Sequence, residues 1–192
     1  MTHPIETSGE AVFNTLRNLV LKFSAQNETP IVPEVYLSWD IDNGDVSATI
    51  DARPGELIAI DSKVNGEPRW VTLNIGLGIA RLTPGDVVTL IADLQSSEVA
   101  NLPVFIRSGY DGYSKDVVLH SPLPSSEVAQ VQTLMHTIRH YEVSERDEAY
   151  QTLIVELPKS DFQLALGDAR LMLTPASYGL RSAPETLSSI AG

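Results

Sequence analysis

The sequence predicts a mainly β protein: an antiparallel β-sandwich, jelly-roll-like, with an N-terminal helix. Three observations point there. Between Trp70 and Leu173, short apolar runs return about every ten residues, broken by Gly, Pro, Asp and Ser. Within those runs apolar and polar residues alternate, as in Leu153, Val155 and Leu157 or Phe162, Leu164 and Leu166. Hydrophobic residues make up 43% of the 192, enough to fill the core of one large β-domain.

The helix is expected over residues 10–24. Val12, Leu16, Leu19, Val20 and Phe23 recur at three- and four-residue spacing, and Thr7 or Ser8 precedes them as a cap. Its apolar face either covers an open end or edge of the sandwich or serves self-association or docking to a protein partner. Residues 25–34, with prolines at 30 and 33, read as a linker. The domain reading is therefore 1–33 for helix and linker, 34–175 for the sandwich and 176–192 for a flexible tail.

A hairpin is expected next. Val35–Ile41 and Val46–Ile50 flank Asn43-Gly44, the pair best suited to a turn with two positive φ angles. Turns follow at Arg53-Pro54-Gly55-Glu56, Asn65-Gly66-Glu67-Pro68 and Thr83-Pro84-Gly85-Asp86. Strands are expected at Leu57–Asp61, Arg69–Leu77 and Val87–Leu94, with a pair on either side of Gly109-Tyr110-Asp111-Gly112. Residues 126–141 suit a helix nearly as well as a strand, and a strand over 131–140 is favoured. The last strands are Tyr150–Leu157 and Phe162–Leu173, the latter interrupted by a bulge or turn at Gly167-Asp168.

Composition narrows the chemistry. The formal charge is −12, which repels phosphate backbones and anionic lipid, so neither nucleic acid nor membrane is an expected partner. Cysteine is absent, removing thiolate chemistry. The N-terminus has no basic segment ahead of an apolar run, and no apolar run nears the ~20 residues of a membrane span. A soluble protein made in the cytoplasm without a signal peptide is the expectation.

Isolated motifs fail on inspection. Asp40-Ile41-Asp42-Asn43-Gly44-Asp45 departs from a calcium-binding helix–loop–helix in its glycine position and lacks the closing Glu. It reads as a polar turn, an irregular calcium site being the alternative; no other cofactor is expected. Gly76-Leu77-Gly78 lacks the third glycine of a dinucleotide loop. His136 and His140 lie four apart without the Glu of a zinc protease. Trp70 is expected in the core, and Trp39 partly exposed.

The most site-like stretch is Arg107 to Asp116. Arg107, Tyr110, Asp111, Tyr113 and Asp116 combine aromatic faces with planar charged groups around flexible glycines. Sugar rings are held by that mixture, since aromatic faces cover CH surfaces and charged planes bond pairs of hydroxyls. The competing reading is an ordinary hairpin loop whose tyrosines pack locally.

Residues 70–175 also resemble the jelly-roll, galactose-binding-like carbohydrate-binding modules. The resemblance is carried by a strand opening on Trp70, the Gly85-Asp86 turn before Val87–Leu94, the Arg107–Asp116 loop and the late pair of strands. It implies non-catalytic binding of a glycan or other neutral ligand, in some members beside a structural calcium. Two alternatives stand next to it. One is a structural or attachment subunit anchored through residues 10–24; the other is a glycan-processing enzyme, for which no motif speaks.

Overall fold

A computed structural model describes residues 2–143 and 148–178. Among these residues helix α1 (Pro4–Arg17) precedes fourteen strands: β1 (Leu21–Ala25), β2 (Pro30–Val32), β3 (Val35–Trp39), β4 (Gly44–Ala52), β5 (Ile58–Gly66), β6 (Val71–Ala80), β7 (Val87–Ser96), β8 (Asn101–Leu102), β9 (Val104–Tyr110), β10 (Tyr113–Val118), β11 (Leu123–Pro124), β12 (Gln130–Thr137), β13 (Ala149–Glu156) and β14 (Phe162–Thr174). Two six-stranded antiparallel sheets pack face to face. Sheet A runs β1-β4-β5-β14-β7-β12 and sheet B runs β10-β9-β13-β6-β3-β2; β8 and β11 form a small third pair. The β-sandwich is thus the observed fold.

Alternation fills the core. Val46, Ala48 and Ile50 of β4 and Val88, Leu90, Ala92 and Leu94 of β7 meet Val71, Leu73 and Ile75 of β6 and Val104 and Ile106 of β9. Strand β14 keeps this up only by means of a bulge. Its inward residues are Phe162, Leu164 and Leu166, then Ala169, Leu171 and Leu173, and the pairing with β7 shifts between Leu166 and Asp168. The extra residue switches the inward parity from even to odd, as the Gly167-Asp168 signal foretold.

The helix lies earlier than the apolar spacing suggested. It starts at Pro4, whose missing N–H costs nothing at the first helical position, and His3 caps it by accepting from the Ile5 N–H at 3.3 Å. Ile5, Gly9, Phe13 and Leu16 form the buried stripe. Leu19, Val20 and Phe23 are not part of it. Beyond Arg17 the chain becomes β1, paired with β4 over Leu21–Ala25. The expected linker likewise contains a strand, since Pro30–Val32 borders sheet B with Ile31 and Val32 buried. Proline fits at the first residue of such an edge.

The position of α1 has a clear cause. Strand β5 accompanies β14 only as far as Leu166, and β3 accompanies β6 only from Val71 to Ile75. Both sheets therefore lose a neighbouring strand at the same level, and α1 packs against the remainder of β6 and β14. Its polar side chains answer the exposed β14 backbone. Arg17 Nη2 donates to the Ala169 carbonyl at 2.9 Å and to Asp168 at 2.6 Å, and Glu6 accepts from the Leu173 N–H at 3.3 Å. The helical stripe of Ile5, Phe13 and Leu16 is buried inside the fold, while Val20 is exposed.

The Asn43-Gly44 hairpin does not form. β3 and β4 belong to different sheets, and neither Asn43 nor Gly44 has a positive φ. The crossover is fixed by Asp40, 1% exposed. Its carboxylate accepts from Arg69 Nε at 2.6 Å, the Arg69 N–H at 3.1 Å and Asn43 Nδ2 at 2.8 Å. The hydrogen bonds from Arg69 hold the Asp40 carboxyl well below the usual carboxylate range, against the effect of burial. The two tryptophans also exchange roles. Trp39 is buried in the core, whereas Trp70 is 39% exposed beneath the Arg69 guanidinium. Residues 130–137 are strand. The expected tail from 176 begins with a 3₁₀ turn, Ala176–Tyr178, and its remainder lies outside the described residues.

Two outcomes follow. Phe13→Ala empties the space between α1 and the sheets and lowers unfolding free energy by about 3–5 kcal/mol in urea titrations; a loss under about 1 kcal/mol would show that α1 is not integral to the core. Asp40 has a lowered folded pKa, so its carboxylate stabilises the fold above the ordinary value of about 4, and the contribution fades as pH falls through the folded value. The gap in urea midpoint between wild type and Asp40→Asn is therefore level from about pH 5 to 8 and narrows below about pH 4. A gap that widens on acidification would contradict the assignment.

Candidate functional site

The segment singled out from sequence is the β9–β10 hairpin. Its tip is Asp111-Gly112, with φ of 45° and 79°. The two-residue turn with paired positive φ expected at Asn43-Gly44 is formed here instead. The flanking Tyr110 and Tyr113 are register partners, their ring centroids 6.2 Å apart, and Tyr113 is exposed.

Strand parity divides the five predicted residues. Val104, Ile106 and Ser108 point into the sandwich, and Tyr110 continues that side beyond the end of the core, with Tyr113 opposite it. Phe105 and Arg107 point the other way, onto the outer face of sheet B. Asp116 faces Arg107 in register. The guanidinium and carboxylate make two parallel bonds of 2.8 Å each, and the bond to Asp116 raises the Arg107 pKa further. Arg107 and Asp116 are thus brought together; Tyr110 and Tyr113 lie on the opposite side of the sheet, with Asp111 in the turn.

The outer face around Arg107 contains residues the sequence reading missed. One row across the sheet is Val118, Phe105, Ile154, Asn74 and Tyr36; the next is Asp116, Arg107, Thr152 and Gly76. Phe105 and Ile154 are buried yet outside the core cluster. They form a separate apolar floor, with Arg107 lying 5.3 Å over the Phe105 ring. Asn74 is buried beside them, its amide donating to Thr72 Oγ1 at 3.0 Å.

Phenols and carboxylates rim this floor. Tyr150 donates its hydroxyl to Glu34, and the two meet directly above Gly76, where a Cβ would collide with both. Glu34 is held in place by its positive φ of 73° and by its carbonyl, which accepts from the Gly76 N–H at 2.7 Å. Burial and the hydrogen bond to Glu34 push the Tyr150 phenol well above its ordinary range. Burial and the charge of Glu28 raise Tyr36, while Arg107 pulls it down. The face offers neutral phenols, a paired guanidinium–carboxylate and fixed hydroxyl and amide groups over an apolar patch. Alternation in Tyr36–Ser38 and Thr72–Asn74 was the available signal, since those polar positions share one face.

Two other motifs are accounted for. His136 is buried and its Nε2 lies 2.9 Å from Glu142 Oε2. Among the described residues no group of three or more His, Asp or Glu is arranged to hold a metal ion, and the carboxylate of Asp40 is taken by Arg69. Among the described residues no helix is long and apolar enough to cross a membrane.

No family model matches the sequence, and no curated protein matches it. Solved structures are similar in fold. A carbohydrate-binding module described as CBM4 is 15% identical with a TM-score of 0.53, over 79% of this chain and 95% of that one. The family 30 carbohydrate-binding module of a Clostridium thermocellum cellulosomal cellulase is 10% identical, over 80% and 98%, with a TM-score of 0.48. The CBM22-1 xylan-binding domain from Paenibacillus barcinonensis is 11% identical, over 79% and 92%, with a TM-score of 0.47. The chain has the β-sandwich fold seen in the CBM4 module, which agrees with the resemblance noted for residues 70–175.

The raised phenol is directly measurable. The phenolate absorbance of wild type minus that of Tyr150→Phe rises with a midpoint above the ordinary tyrosine value of about 10. A midpoint at or below that value would mean that the Tyr150–Glu34 contact is not made in solution.

Proposed function

We propose that this protein binds a glycan, without altering it, on the outer face of sheet B. The observation that carries the reading is the grouping of Tyr36, Tyr150, Arg107 and Asp116 around the Phe105–Ile154 floor. A sugar ring presents apolar CH surface and rows of hydroxyls, and the face offers a counterpart to each. Thr152, between Arg107 and Gly76, adds a hydroxyl. The fold shared with a carbohydrate-binding module supports the same conclusion. A binding role fits the carboxylates, because Asp116 is engaged by Arg107 and Glu34 by Tyr150.

Calorimetric titration with neutral β-linked oligosaccharides of four to six units tests this. Arg107→Ala weakens binding at least about tenfold, equivalent to about 1.4 kcal/mol, and Tyr36→Ala does likewise, with unchanged circular dichroism. Tyr110→Ala/Tyr113→Ala leaves affinity unchanged, because those rings lie on the other side of the sheet. Loss of binding in that double variant, with Arg107→Ala unaffected, would move the site to the hairpin tip. No binding to any of the sugars would remove the reading.

A further inference from the structure

The opposite side of the sandwich contains a groove that the sheet B face does not explain. It crosses the outer face of sheet A and encloses about 680 Å³, within the roughly 300–1,000 Å³ range of small-molecule sites. Its form follows from register. Lys22, Asp51, Ala59, Ala165 and Gln95 stand in one row across β1, β4, β5, β14 and β7, a span of about 19 Å at ordinary strand spacing. Solvent-facing positions in the middle of a sheet ordinarily carry long polar side chains. Here two alanines sit side by side on the central strands and leave a trough.

The walls are positioned in advance. Arg53 grips Asp51 through two bonds of 3.0 and 2.5 Å, and Lys22 lies 3.6 Å from the same carboxylate. On the far side Gln95, which lines the groove, donates from Nε2 to the Glu127 carbonyl at 2.8 Å, which fixes the amide. A second row, Thr49, Asp61 and Gln163, runs beside the alanines and supplies a hydroxyl, a carboxylate and an amide. Ordering these groups before a ligand arrives reduces the entropy lost on binding.

Charge and composition select the ligand class. Among the described residues three carboxylate side chains, Asp51, Glu56 and Asp61, and that of Glu127 line the groove against two cations, and both cations are committed to Asp51. An anionic ligand is disfavoured. Among the described residues no aromatic side chain lines the groove, so recognition is by hydrogen bonds to hydroxyls and not by stacking. We propose that the sheet A groove is a second ligand site, independent of the sheet B face, that takes a hydroxyl-rich ligand without negative charge, of oligosaccharide size.

Amide-resolved NMR titration of the full chain separates the two faces. The probes are cellotetraose, xylotetraose and mannotetraose, with tetragalacturonate as the anionic comparison. At least one neutral tetrasaccharide is expected to shift the amides of Ala59, Asp61, Gln163 and Ala165 saturably, and tetragalacturonate to leave them in place. Ala165→Leu, which fills the trough, abolishes those shifts, whereas Arg107→Ala retains them. Asp61→Asn and Gln163→Ala, milder changes at exposed positions, each weaken the response at least about fivefold, so a misfolded Ala165→Leu does not decide the matter. Shifts confined to sheet B, shifts that persist in all three groove variants, or equal response to the anionic sugar would each overturn the proposal. The first of these leaves the sheet B reading intact, and shifts confined to sheet A would do the reverse.

Discussion

The architecture depends on how the gap between β6 and β14 is closed. Each sheet loses a strand there, which would leave backbone donors and acceptors open and core residues such as Leu77 and Leu171 uncovered. A helix cannot continue a sheet ladder with its own backbone, so its side chains do so. Arg17 and Glu6 reach the β14 backbone, His3 Nε2 lies 3.1 Å from the Arg81 carbonyl beyond β6, and Phe13 and Leu16 cover the apolar opening. With that edge closed, both sheets hold the alternation that gives each an independent outer face.

Those faces differ in chemistry although they share a scaffold. Sheet B presents phenols and an arginine over buried Phe105 and Ile154. Sheet A presents amides, hydroxyls and carboxylates over two alanines. Residue type at alternate positions makes the difference, since the inward positions of both sheets contain the same aliphatic mixture. The two faces are turned away from each other, so one molecule occupied on both would join two ligand chains.

Much of the fold was legible in the sequence because alternation and turn residues are local signals. Gly167-Asp168 announced the bulge in β14, and Thr83-Pro84-Gly85-Asp86 the turn before β7. What failed depended on distant partners. The segment Leu21–Ala25 fits a helical spacing until β4 is available to pair with it. Asn43-Gly44 has the composition of a hairpin turn, but Asp40 and Arg69 recruit that segment into a crossover between sheets. The candidate site was half legible. Arg107 and Asp116 sit at matching register in one hairpin, whereas Tyr36, Glu34 and Tyr150 join them only through β3, β6 and β13, far apart in the chain. The tyrosines at 110 and 113 were grouped with Arg107 by proximity in sequence, which ignores the two-residue period that sends them to the other side.

The placement of α1 also bears on how the chain reaches its native state. Arg17 and its partner Asp168 are 151 residues apart, and β14 is the last of the described strands. The helix is made before the sandwich, yet its apolar stripe has no complete docking surface until nearly the whole sandwich exists. Contacts that close so large a loop form slowly. During synthesis Ile5, Phe13 and Leu16 therefore remain available to wrong partners until β14 exists, and the docking of α1 is the step at which chaperone assistance would matter most.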